Sequence, residues 1–257
     1  MTLLSRTSRR VELTPSGETL LREGKRLLAD AERIVDRTRR ASSDTLRVGF
    51  YGSAAARLLT PTLQAFSQAH PSTEVTIREL LLGHLDALID GEVDVAFTRL
   101  DADQVADLGL EVDVISEEPR LAVVASGHRL AARPVITFAD LRDEGFVVNP
   151  AVQDSPMTRW RAEQQRHGLP GRIAAQAGSV QELLTFVAVG RGVSLVPASV
   201  AELHPRRDVA YIEVSDADPA LVTLAWPKRR RRPVSMAFVA IARERAAEAR
   251  RQAAHAA

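Results

Sequence analysis

One order of elements occurs twice along this chain, and it narrows the folds open to it. Residues 46–51 read as a strand, 54–69 as a helix stopped by His70-Pro71, and 74–79 as a strand with Val75 and Ile77 on one face. Residues 81–89 read as a helix closed by Asp90-Gly91, and 93–97 as a strand. The same order returns as strand 146–148, helix 157–167, strand 172–177, helix 180–189 and strand 193–196, which Pro197 ends. Residues 110–115 and 121–125 between the two sets are strand-like. So are 209–214 and 221–226 after them, before a last helix from about 234 to 250.

Strands that alternate with helices imply an α/β fold with parallel sheets, and the repeated unit implies two similar lobes. Such sheets bind ligands at the carboxyl ends of their strands, where helix N-termini also point unpaired N–H groups outward. The residues expected there are Gly52-Ser53, Leu81, Thr98-Arg99, Asn149-Pro150, Gly178-Ser179 and Pro197.

The first 45 residues follow a different rule. Thr14-Pro15-Ser16-Gly17-Glu18 starts a helix: Thr14 can cap it, Pro15 suits its first turn, and Glu18 sits near its positive end. The helix runs to about Arg40, and its apolar pairs Leu20/Leu21, Leu27/Leu28 and Ile34/Val35 recur every seven residues. That spacing is a seam for a partner helix, or else one side of a helix packed on its own domain.

Composition excludes several chemistries. The 257 residues contain no cysteine, so disulfides, thiolate catalysis and Cys-based zinc sites are out. The six histidines never fall two to a helical turn, and no metal site, cofactor motif, nucleophile elbow or phosphate loop is present. Gly190-Arg191-Gly192 follows a helix and lacks a third glycine, so it reads as a helix stop and tight turn. Asp86, Asp90 and Asp94 read as solvated turn carboxylates. The chain has 34 Lys+Arg against 33 Asp+Glu, so DNA binding would need local clusters. Two exist: Arg6-Thr7-Ser8-Arg9-Arg10, suited to phosphates, and 228–232, which reads as a solvated loop. The N-terminus has no apolar core of a signal peptide, and no apolar run reaches the roughly 20 residues of a membrane span. The expectation is a soluble, cytoplasmic protein that is not an enzyme.

Arg99 ends an apolar strand, where its guanidinium could hold a carboxylate bidentately at the mouth of a cleft, or instead cap a neighbouring element. Ser53 and Ser179 precede expected helices, so each is an N-cap that could also face a ligand.

Together these residues resemble a LysR-type transcriptional regulator. Leu4 to Glu18, LSRTSRRVELTPSGE, is similar to the family's wing and linker-helix start. Gly91-Glu92-Val93-Asp94-Val95-Ala96-Phe97 is similar to its "G-x-x-D-hydrophobic-A" strand, and QELLTFVAVGRGVSLVP, 181–197, to its "LVAAGLGVALLP" element. The resemblance implies a two-lobed, periplasmic-binding-protein-like effector domain. It divides the chain into a wing remnant at 1–13, a linker helix that pairs in a dimer at 14–41, one lobe at 45–118 with 216–257, and another at 119–215. It further implies a homodimer or tetramer, and a small-molecule effector, such as an organic acid, at Ser53, Thr98, Arg99, Asn149 and Ser179. Arg99 matches members that sense aromatic-pathway acids, whereas Leu81 replaces the hydroxyl side chain usual in them. DNA phosphates are expected at Arg6, Thr7, Ser8, Arg9 and Arg10, with operator reading dependent on a helix-turn-helix that would precede them. Without that segment the chain would be a headless effector-binding protein, sensing a small acid or pairing with intact regulators.

Overall fold

The computed structural model describes every residue except 1, 8–9, 41–44, 81–84, 101–104, 151–171 and 257. It comprises two units, Met1–Thr45 and Leu46–Ala257.

In the first unit, β1 (Leu4–Thr7) and β2 (Arg10–Leu13) pair antiparallel, with Leu4 opposite Leu13 and Thr7 opposite Arg10. Helix α1 (Pro15–Arg40) follows. The Thr14 hydroxyl accepts the Gly17 N–H at 3.1 Å and donates to the Thr2 carbonyl at 2.7 Å, so one side chain caps the helix and ties it to the chain start. Gly17 is required by this approach, because a Cβ there would lie 2.1 Å from the Leu3 carbonyl oxygen.

The second unit holds two main sheets. The first has the order β4-β3-β5-β13-β6, from β3 (Thr45–Phe50), β4 (Glu74–Glu79), β5 (Val95–Thr98), β6 (Leu110–Glu118) and β13 (Ala220–Pro227). The second has the order β11-β7-β12-β8, from β7 (Arg120–Ala125), β8 (Val135–Ile136), β11 (Ser194–Pro197) and β12 (Val209–Val214). A parallel pair, β9 (Phe146–Val148) with β10 (Ile173–Gln176), joins β11 through a parallel bridge between Phe146 and Val193.

The expectation of parallel sheets is corrected. β3 and β5 are parallel, but β13 runs antiparallel to both β5 and β6, and β7 lies antiparallel to both β11 and β12. The chain passes from the first sheet to the second through β6 and β7, and returns through β12 and β13. A strand that returns from the other sheet enters against the direction of its neighbours.

Each sheet has two faces and each face its own core. Val95 and Phe97 join one cluster with Phe66 and Phe238, while Ala96 between them joins the other with Leu88 and Leu100. In the second sheet Ala122 and Val124 face one cluster and Val123 the other. None of these four clusters combines residues from the two sheets. Each sheet with its helices is therefore a lobe with private cores, called lobe I for the five-stranded sheet and lobe II for the four-stranded one.

Among the helices, the expected single helix at 54–69 is two: α2 (Gly52–Ala55) and α3 (Leu59–Ala69). Pro61 lies in the first turn of α3. In a continuous helix it would lack the N–H owed to residue 57 and its ring would meet that carbonyl, so the chain breaks at 56–58. Helix α4 (Asp86–Ile89) is the described part of the expected 81–89, and Leu81 and the expected helix 157–167 lie outside the described residues. Helix α5 (Val180–Ala188) stops at a turn in which Gly190 donates to the Val187 carbonyl and Arg191 to that of Phe186, and Gly190 has φ +74°. Two more are α6 (Ala198–Leu203), which the sequence did not suggest, and α7 (Pro233–Ala256).

One charge reading is also corrected. Asp94 is not a solvated turn carboxylate but a buried one, held by Arg47 through Nη2 to Oδ1 at 2.9 Å and Nε to Oδ2 at 3.1 Å. The Arg47 N–H at 2.9 Å and Arg232 Nη1 at 3.2 Å complete its shell. The basic run is exposed from 228 to 231, as a solvated loop should be, although Arg231 bonds Glu111 and its hydrogen bond holds the Glu111 carboxyl below its ordinary range. Arg230 lies over Gly91, whose φ of +69° already excludes most side chains and whose Cβ would meet the Arg230 guanidinium at 1.6 Å. No helix among the described residues is long and apolar enough to cross a membrane, and no group of three or more His, Asp or Glu among them could hold a metal ion.

Candidate functional site

Strand β5 ends at Thr98, and the next residue turns inward rather than standing at a cleft mouth. The Arg99 side chain is only 10% exposed. Its guanidinium makes four hydrogen bonds. Nε donates to Ser53 Oγ at 3.2 Å and Nη1 to the Leu221 carbonyl at 3.1 Å, while Nη2 donates to Glu118 Oε1 and, at 3.0 Å, to Ser199 Oγ. Burial draws the Arg99 pKa below its usual value, and the Glu118 carboxylate works against that shift.

Glu118 is the last residue of β6, just before the chain leaves lobe I at Pro119. Its Oε2 accepts the Ser199 N–H at 2.7 Å and its Oε1 the Ser199 hydroxyl at 3.0 Å. Ser199 is in the first turn of α6, so a carboxylate sits at the positive end of that helix. Ser53 lies in α2, immediately after β3. Thus Arg99 of lobe I, which also donates to Ser53, meets Ser199 of lobe II on one carboxylate at the crossing strand. Beside them, Ala198 donates to the Pro119 carbonyl at 2.9 Å, and Arg120 Nε to the Asp218 carbonyl at 2.9 Å, linking the two crossings.

The other expected residues are placed differently. Thr98 is fully buried, and its hydroxyl pairs with Thr223 Oγ1 at 2.7 Å on the neighbouring strand β13. Asn149 is half-buried directly after β9. Ser179 is exposed and caps α5, accepting the Glu182 N–H at 3.2 Å. The structure therefore joins Ser53 to Arg99 and sets Asn149 and Ser179 at the strand ends of lobe II. Of the expected phosphate contacts, Arg6, Thr7 and Arg10 lie at the loop end of the β1–β2 hairpin, and Ser8 and Arg9 lie outside the described residues.

Sequence reasoning missed Glu118 and Ser199. Their signals were slight: a proline directly after a strand at Pro119, and Pro197-Ala198-Ser199 as a helix start after another. Tyr51, buried between β3 and α2, has its phenol pKa raised by burial and then by nearby Asp86, so it stays a neutral hydroxyl.

Residues 39–247 match the LysR substrate binding domain family. The chain is 32% identical over 221 residues to the HTH-type transcriptional regulator CatR of Pseudomonas putida, covering 84% of this chain and 74% of that protein. It is 30% identical over 233 residues to the HTH-type transcriptional regulator YnfL of Escherichia coli K12, covering 88% of this chain and 77% of that one. Among solved structures, the effector binding domain of BenM from Acinetobacter baylyi with its effector benzoate superposes with a TM-score of 0.64. The identity is 26%, over 78% of this chain and 90% of that one.

Proposed function

This chain belongs to the LysR family of transcriptional regulators, and on that footing we propose that it senses a small organic acid between its lobes. Ser53, Thr98, Arg99, Asn149 and Ser179 are the residues assigned to the effector. The family regulates transcription rather than catalysing a reaction, and the assigned work is accordingly binding and signalling in the cytoplasm.

One observation carries the reading. The Arg99 guanidinium is buried among hydroxyls and already holds a carboxylate, that of Glu118. The site is thus chemically fitted to an organic acid, and BenM supplies a relative with benzoate as effector. An effector carboxylate that takes Glu118's place on Arg99 also releases Glu118 from its present geometry with Ser199. A ligand bound to lobe I then alters the hold on α6 of lobe II, which is the differential contact that a population shift requires.

Calorimetry tests this, with benzoate as the first of a panel of small carboxylates. Arg99→Ala is expected to weaken binding at least tenfold, the scale of one charged hydrogen bond. Ser53→Ala, which keeps the buried charge pair, should weaken it less. Equal Kd for the parent and Arg99→Ala overturns the assignment.

Helix α1 is assigned to pairing of subunits in a homodimer or tetramer. Leu27 and Leu28 are 70% and 68% exposed, and Leu20 and Leu21 lie about half exposed on the same seven-residue repeat. Leu27→Asp with Leu28→Asp should halve the sedimenting mass, and an unchanged mass removes α1 from the interface. Arg6, Thr7, Ser8, Arg9 and Arg10 are assigned to DNA phosphates. A protein that binds effector and dimerises yet retards no operator fragment is instead a headless sensor.

A further inference from the structure

Among the described residues the two lobes share no apolar cluster, which gives the polar contacts between them weight in setting their relative position. Those contacts are not scattered. Helices α2 of lobe I and α6 of lobe II pack on each other. At their first turns Ser53 and Ser199 are joined through Arg99, buried from water. One turn further on, Arg57 in the 56–58 break reaches Glu202 in α6, with Nε to Oε2 at 3.0 Å and Nη2 to Oε1. The Glu202 carboxylate holds the Arg57 pKa above its ordinary value, with a smaller contribution from Glu118. Unlike the inner contacts, the outer pair is open to solvent, with side chains 69% and 42% exposed.

We propose that α2 and α6 form a two-rung latch between the lobes, in which Arg57 and Glu202 are the positioning pair that keeps Ser199 within reach of Arg99. The break that Pro61 imposes is what frees Arg57 to point across. The inner rung supplies a fixed, buried hold and the outer rung an adjustable one, since salt screens an exposed pair and hardly touches a buried one. The latch needs no effector to operate, so its test stands apart from the assignment of the ligand.

The full chain lacks cysteine, so Gln64→Cys on α3 and Gln181→Cys on α5 place one spin label on each lobe, away from both rungs. The parent is expected to give one narrow interspin distance that gains a longer component as salt rises. Arg57→Glu or Glu202→Arg alone should raise that longer component about two- to fivefold at low salt, the scale of one exposed ion pair. The double exchange Arg57→Glu with Glu202→Arg should restore the parent distribution, which a merely space-filling role would not do. Circular dichroism melts of the four proteins should agree, since both side chains are exposed. Single variants with the parent's distribution, a broad parent distribution, or a double exchange that stays broad would each overturn the latch.

Discussion

Glu118→Ala should lower stability by about 3–5 kcal/mol, because it removes the counter-charge of a guanidinium that is almost wholly out of water. The more telling part of the result is its reversal. The vacated space faces one Nη2 hydrogen of Arg99 and the N–H and hydroxyl of Ser199, a ready place for a small carboxylate. Acetate should therefore raise the melting temperature of Glu118→Ala in proportion to the logarithm of its concentration, and leave the parent unmoved. Chloride at equal ionic strength should give no such rise. Equal effects of acetate and chloride would show that the pocket does not select carboxylates. Arg99→Ala combined with Glu118→Ala should then cost clearly less than the two single changes summed, since the second removes a charge the first has already stranded.

Asp94→Ala should be comparably destabilising at the other end of the sheet. It strips Arg47 and Arg232 of their shared buried partner and the Arg47 N–H of its acceptor, in a setting that is mostly out of water. A loss of about 3–5 kcal/mol, at roughly 2–4 °C per kcal/mol for a domain of this size, is a fall on the order of 10 °C. Because Asp94 lies at the opening of β5 and Arg99 beyond its close, benzoate affinity measured well below the melting temperature should stay within about twofold of the parent. A loss under about 1 kcal/mol would mean that the pair is held as loosely as an exposed one.

What could be read from the sequence was local. The Thr14 cap on the Gly17 N–H, the Gly190 stop and most strand positions each depend on neighbours within a few residues, and those neighbours are visible as spacing, whereas the need for glycine at 17 comes from Leu3. Gly91 and Asp94 stood out as a motif, but their reasons are remote: Arg230 packs on one and Arg47 and Arg232 bind the other. The partners of Arg99 come from β6, β13 and α6, up to 122 residues away along the chain. No periodicity encodes that meeting. Sheet direction was misjudged for a related reason, since alternation of strands and helices does not show that the chain crosses to the other lobe and comes back.

The separation of the cores has a consequence for how such a protein changes over time. A substitution that reshapes the packing around Phe66 and Phe238 meets no side chain of the cluster around Phe138 and Phe146. Stability effects in the two lobes should add rather than interact, so each interior can be rebuilt by drift without waiting for the other. Only a handful of polar residues at the crossing must be kept in step, and a lineage that alters those few can acquire a new stimulus while its two interiors stay as they were.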